Sequence, residues 1–118
     1  MLTRQTGLFA PSVDAAALQA TIDNDPQLLL VFCSVSFLRD DRFRESLQRA
    51  FPSAAIAGCS TAGEIHARGV ENGSCVITGL RFNEAQFRIA ESSVAGIEQS
   101  LQGGKDLGSQ LPAPDPRA

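Results

Sequence analysis

Six consecutive residues carry most of the chemistry this chain can offer. Gly58-Cys59-Ser60-Thr61-Ala62-Gly63 follows a short apolar run and leads directly into Glu64, with the only histidine, His66, two residues on. Cys59, Ser60 and Thr61 hold polar groups on short stems, and the flanking glycines allow close backbone approach or positive φ. Backbone amides between two glycines can point into a concavity and receive a carboxylate or another acceptor. With the amides of Ser60, Thr61 and Ala62 on a carboxylate and Glu64 on an ammonium, an amino acid is the complementary ligand. The plainer reading of Gly58 and Gly63 is turn geometry or tight packing, and of Glu64 a local cap or an i,i+4 pair with Arg68. No lysine follows the glycines and no dinucleotide fingerprint is present, which excludes a phosphate-binding loop.

A second chemistry uses the same stretch. Cys59 as nucleophile, His66 as base and Glu64 as its orienting group would make a thiol triad and a small cysteine-dependent enzyme. Against it stands a packed, inert thiol, because a free cysteine at the end of an apolar run usually acts as a small buried hydrophobe. His66 is equally readable as a surface loop histidine. There is no Cys-x-x-Cys and no clustered Cys/His spacing, so a structural zinc site is not expected. A third reading makes the chain a protein-interaction module whose glycines only shape a turn.

These residues need a strand to end beneath them. Residues 54–59 are apolar and read as a strand, and residues 28–33 form a second run without alternation, expected as a central parallel strand buried on both faces. Residues 34–37 are expected to carry that strand to its carboxyl end. Between the runs, Phe43, Leu47 and Ala50 form a helical seam, with Asp40 or Asp41 as cap. Strand, helix and strand make a βαβ crossover, which puts both strand ends on one edge. Ser34 and Ser36 from one loop then meet Ser60 and Thr61 from the other, with Phe37 placed to cover a ligand. Ligands in open α/β sheets bind at such carboxyl ends.

Elsewhere the pattern gives supporting elements. Residues 1–11 read as an edge strand or an arm across the core. Residues 13–23 read as a helix capped by Ser12. Glu71-Asn72-Gly73 is a turn signal before a strand over residues 74–82. Residues 87–92 are expected to pair back antiparallel, and Val94, Ile97 and Leu101 to make a short helix. The fold class is α/β, with α+β as the variant: a single-layer mixed sheet, a βαβ crossover followed by an antiparallel hairpin, and helices packed on the sheet. Residues 1–104 are expected to form one domain and 105–118 a flexible proline-rich tail.

Composition narrows the partners. With 118 residues there is room for one modest core. The net charge of −3 and the single lysine make nucleic acid and anionic membranes poor partners. Three cysteines, an odd number, argue against a disulfide scaffold, and no secretory or membrane-spanning segment is visible, so the expected location is cytoplasmic. Exposed strand edges suggest self-association.

The run 28–34 together with Ala57-Gly58-Cys59-Ser60-Thr61-Ala62-Gly63-Glu64-Ile65 resembles the N-terminal part of the FIST domain, and Gly69 and the strand 74–82 continue the likeness over residues 12–92. The resemblance implies a bacterial sensory input module. Such a module binds a small molecule and passes its state to a histidine kinase, a cyclase or a methyl-accepting protein. It supplies no catalytic residues; Gly58, Cys59, Ser60, Thr61, Gly63 and Glu64 are the positions it carries over. Some relatives are haem-containing nitric oxide sensors, which makes His66 a candidate haem ligand, with Cys59 or Cys33 as the alternative. Family members run to several hundred residues, so this chain is expected to be a truncated or minimal form.

Overall fold

The structure, a computed structural model, describes residues 1–66 and 69–113, without the side chains of His66, Val70 and Glu71. It divides into two compact units, Met1–Glu84 and Ala85–Ala118.

The first unit is built on a mixed four-stranded sheet. Strands β1 (Leu2–Leu8), β2 (Leu28–Cys33), β3 (Ala55–Ser60) and β6 (Cys75–Arg81) lie in the order β1-β6-β2-β3. β2 and β3 are parallel, and β6 runs antiparallel to both β1 and β2. β4 (Glu64–His66) and β5 (Gly69–Glu71) form a separate antiparallel hairpin after the crossover. Gly73, at φ +73, makes the turn into β6, a conformation that favours glycine. Helices α1 (Ala15–Thr21), α2 (Val35–Leu38) and α3 (Asp41–Ala50) complete this unit. The expected mixed sheet with its crossover, hairpin and packed helices is therefore present.

Local chemistry sets the helix starts. The Asp14 side chain accepts from the Ala17 amide at 2.7 Å and Asp40 from the Arg42 amide at 3.0 Å, each satisfying a donor that lacks an intrahelical partner. Asp14, not Ser12, thus starts α1, because its carboxylate sits three residues before the amide it serves. The α3 seam behaves as its spacing predicts: Phe43, Leu47 and Ala50 are buried. With Leu18 of α1 and Ile22 just after it they close over Leu29, Val31 and Cys33 of β2 and Cys75 and Ile77 of β6. Each large side chain buried there contributes about 1.5–3 kcal/mol relative to an exposed one.

Three expectations fail here. β2 alternates rather than being buried on both faces: Leu29, Val31 and Cys33 are buried, while Phe32 between them keeps 40% of its surface. The strand also stops at Cys33. Residues 35–38 wind into the single turn α2, which turns Phe37 into the core instead of over a ligand. There Phe37 is 1% exposed and meets Phe43 edge-to-face, with centroids 5.2 Å apart. Residues 87–92 form no strand, because β1 and β2 already occupy both edges of β6.

The second unit carries a 3-10 turn (Ile97–Gln99) running into α4 (Ser100–Gln110). The helix continues through Gly103-Gly104 and takes in residues 105–110, which were expected in the tail; residues 114–118 of that tail lie outside the described residues. Gly103 is buried close to Val94, where a Cβ would come within 2.7 Å of Val94 Cγ1. Gln110 clasps the backbone of Glu91, accepting from its amide at 3.2 Å and donating to its carbonyl at 2.7 Å. Small size at the contact with Val94 accounts for Gly103.

At the sheet, Gly58 pairs with Val31 so closely that an added Cβ would collide with the Val31 carbonyl oxygen. Backbone, not a flexible side chain, would have to move. Gly58→Ala is therefore expected to destabilise the first unit by about 3 kcal/mol, read as a fall in the urea midpoint. A loss under 0.5 kcal/mol would mean that β2 and β3 do not approach this closely in solution.

Candidate functional site

The parallel register ends with Cys33 beside Ser60, and the Thr61 amide extends it by donating to the Cys33 carbonyl at 2.9 Å. Ser34 and Thr61 therefore leave the sheet side by side. β6 begins at the same edge, with Cys75 opposite Cys33, and the Ser34 amide donates to the Ser74 carbonyl at 2.9 Å. Three segments of chain, residues 34–37, 60–64 and 74, meet there. The hydroxyls of Ser34 and Ser36 lie 2.7 Å apart.

Glu64 ties two of these segments together. It is 1% exposed. The Thr61 hydroxyl donates to its Oε1 at 2.8 Å, and Ser74 donates to its Oε2 through both its hydroxyl at 2.9 Å and its amide at 3.2 Å. A buried carboxylate is tolerable only when donors replace its water. Here the Thr61 hydroxyl does most to hold the Glu64 carboxyl below its ordinary value of 4.5; burial opposes this, and the Ser74 hydroxyl and amide add to it. Glu64, expected to receive a ligand ammonium, is engaged by these internal donors, and through them it clasps the loop after β3 to the start of β6.

The remaining expected residues fall into three groups. Ser36, Ser60 and Ala62 are exposed, and Ser34, Thr61 and Gly63 are half-buried, all at the shared edge. Gly58 and Phe37 are structural, one by backbone approach and the other in the core. Cys59 is exposed, against the expectation of a packed thiol, because β3 is the outermost strand of its sheet and Cys59 registers with the half-exposed Phe32. The side chain of His66 and all of Arg68 lie outside the described residues, so the Cys59–His66 pair and the Glu64–Arg68 pair gain no geometry here. Ser74 was missed. A serine opening a strand after Asn72-Gly73 carries no mark of a carboxylate partner 10 residues earlier.

Among the described residues, two concavities lie away from this edge. One of about 240 Å³ beside β3 is apolar, lined by Val31, Phe37, Phe43, Leu47 and Ile56 with Arg44 at its side. The other, about 400 Å³, lies between the start of α1 and α3 and is lined by Ser12, Asp14, Arg42, Ser46 and Arg49. Among the described residues no group of three or more His, Cys, Asp or Glu could hold a metal ion. Haem does not fit Cys33, which is wholly buried against Cys75 in the core. No described helix is long and apolar enough to cross a membrane.

A family model described as the FIST N domain matches residues 27–118, a span that includes β2, the 58–64 segment and β6. No curated protein and no solved structure matches the chain.

Because the folded value of Glu64 lies below its unfolded one, its contribution to stability is complete above about pH 4.5 and is lost as the pH falls through the folded value. Glu64→Gln, which keeps the shape and removes the charge, is expected to cost about 1–3 kcal/mol at neutral pH. The gap to wild type should narrow as urea titrations are moved from pH 7 to the acid side. A gap that is constant across that range would show that the carboxylate is not held as an anion.

Proposed function

Because this chain belongs to the FIST N domain family, whose members are small-ligand sensory modules of signal transduction, we propose that it receives its ligand at the edge where β2 and β3 end. The observation that carries this reading is the register: Cys33 beside Ser60 brings the 34–36 and 60–63 loops together without an intervening element. Both loops expose short polar side chains, Ser36 and Ser60, at that edge. Hydroxyls of this kind orient a ligand by donating to or accepting from it, and without an adjacent base they are weak nucleophiles. The reading is accordingly one of binding without turnover.

In this reading the ligand is a small polar molecule, with amino acids the first class to test. Ser36 and Ser60 touch it. Thr61 gives its amide to the Cys33 carbonyl and its hydroxyl to Glu64, so Glu64 acts as a positioning residue. Ligand binding favours the arrangement in which the two loops are ordered together, and a partner responds to that shift in population. The partner class is a signalling protein such as a histidine kinase or cyclase, and the compartment is the cytoplasm. Self-association through the outer strand β3 is the most direct way for two such modules to act together.

Calorimetric titration with the common amino acids tests the site. At least one is expected to bind saturably without a product. Ser36→Ala and Ser60→Ala should each weaken it about two- to tenfold, the cost of one neutral hydrogen bond, while Arg49→Gln in the α1–α3 cleft should leave it unchanged. Binding that is weakened by Arg49→Gln and indifferent to both serines would move the site to that cleft. No binding by any amino acid would remove the ligand class.

A further inference from the structure

One pair of groups plays no part in this reading. Cys33 and Cys75 stand directly opposite each other on β2 and β6, both at 0% exposure. The Ser34 amide bonds to the Ser74 carbonyl just beyond them, which makes theirs a non-hydrogen-bonded antiparallel pair. Such pairs have the closer Cα spacing, about 4.5 Å, inside the range of roughly 4.4–6.8 Å that a disulfide spans. The two side chains lie on the same face of the sheet, and each thiol perturbs the titration of the other. Cys59 registers with Phe32 and therefore faces the other side of the sheet from Cys33.

We propose that Cys33 and Cys75 are a buried redox site, closed to a reversible disulfide by a hydroperoxide. One thiol takes the terminal oxygen, breaking the O–O bond, releasing water or an alcohol, and becoming a sulfenic acid. The second thiol displaces that oxygen as water and the S–S bond forms. Two thiols give up two hydrogens and two electrons, and the peroxide is reduced by the same two electrons. Burial pushes both thiols up from their ordinary value, Cys75 further than Cys33, so Cys33 reacts first and Cys75 resolves.

Access is through the Glu64 clasp. Ser74, which donates to Glu64 through hydroxyl and amide, immediately precedes Cys75, so releasing it opens the end of β6 where the pair sits. The closed disulfide would in turn tie together the residues from which Ser34 and Ser74 extend. Its effect on ligand binding rests on the proposed function above; its formation does not.

The reduced full chain, treated with hydrogen peroxide under native conditions, alkylated and peptide-mapped, tests the inference. The expected result is an intramolecular Cys33–Cys75 link with the loss of two alkylatable thiols, reversed by dithiothreitol and retained in Cys59→Ser. It should form faster in Glu64→Gln and be absent in Cys33→Val and Cys75→Val. Because the Cys59→Ser chain alters only an exposed side chain, it keeps the test decisive if a core variant fails to fold. A link through Cys59, a link that forms only in denaturant, or Cys33 and Cys75 both remaining alkylatable after unfolding would overturn it.

Discussion

A carboxylate removed from water dictates the arrangement around it. Glu64 is buried, and the donors that meet its oxygens include two hydroxyls and the Ser74 amide. A buried anion without such donors would cost far more than a small domain can offset. Thr61 and Ser74 are therefore held where they are by a requirement stronger than loop propensity. Through them the loop after β3 is fastened to the first residue before β6. The register of β2 with β3 brings the loops to one edge, and the clasp gives that edge a defined shape.

The backbone contact between Gly58 and Val31 is the second constraint, and it acts on the same edge. Any side chain at Gly58 would push β3 away from β2 and separate Ser60 from Cys33. The glycine in the sensory-family motif is thus explained by sheet geometry and its acid by the clasp, leaving Ser60, Thr61 and Ala62 as the stretch between two fixed points. Fixed flanks confine any rearrangement at this edge to that short polar stretch and to the 34–36 loop beside it.

Much of this was legible in the residues. Apolar runs at 28–33 and 54–59, a helical seam between them and a turn at Gly73 place the crossover and the shared edge. Patterning could not tell which groups face inward. Glu64 reads as a ligand contact because acids are usually exposed, and only the three-dimensional neighbourhood shows its donors. Cys59 reads as packed because the strand is apolar, but β3 is outermost in its sheet, a fact of topology. Phe37 follows a strand end, yet one helical turn swings it into the core. Residues 87–92 have strand alternation, and the N-terminal strand β1 takes the edge they were expected to fill. α4 runs through a glycine pair that propensity alone would count against a helix, and Gly103 of that pair is where the helix meets Val94 closely.

Amide hydrogen exchange at Ser74 tests the clasp most directly, since its N–H is donated to Glu64 rather than to a neighbouring strand. In the native chain the Ser74 amide should be protected, and Glu64→Ala should release it while the Leu29 and Val31 amides of β2 stay protected. An equally slow Ser74 amide in both proteins would contradict the account.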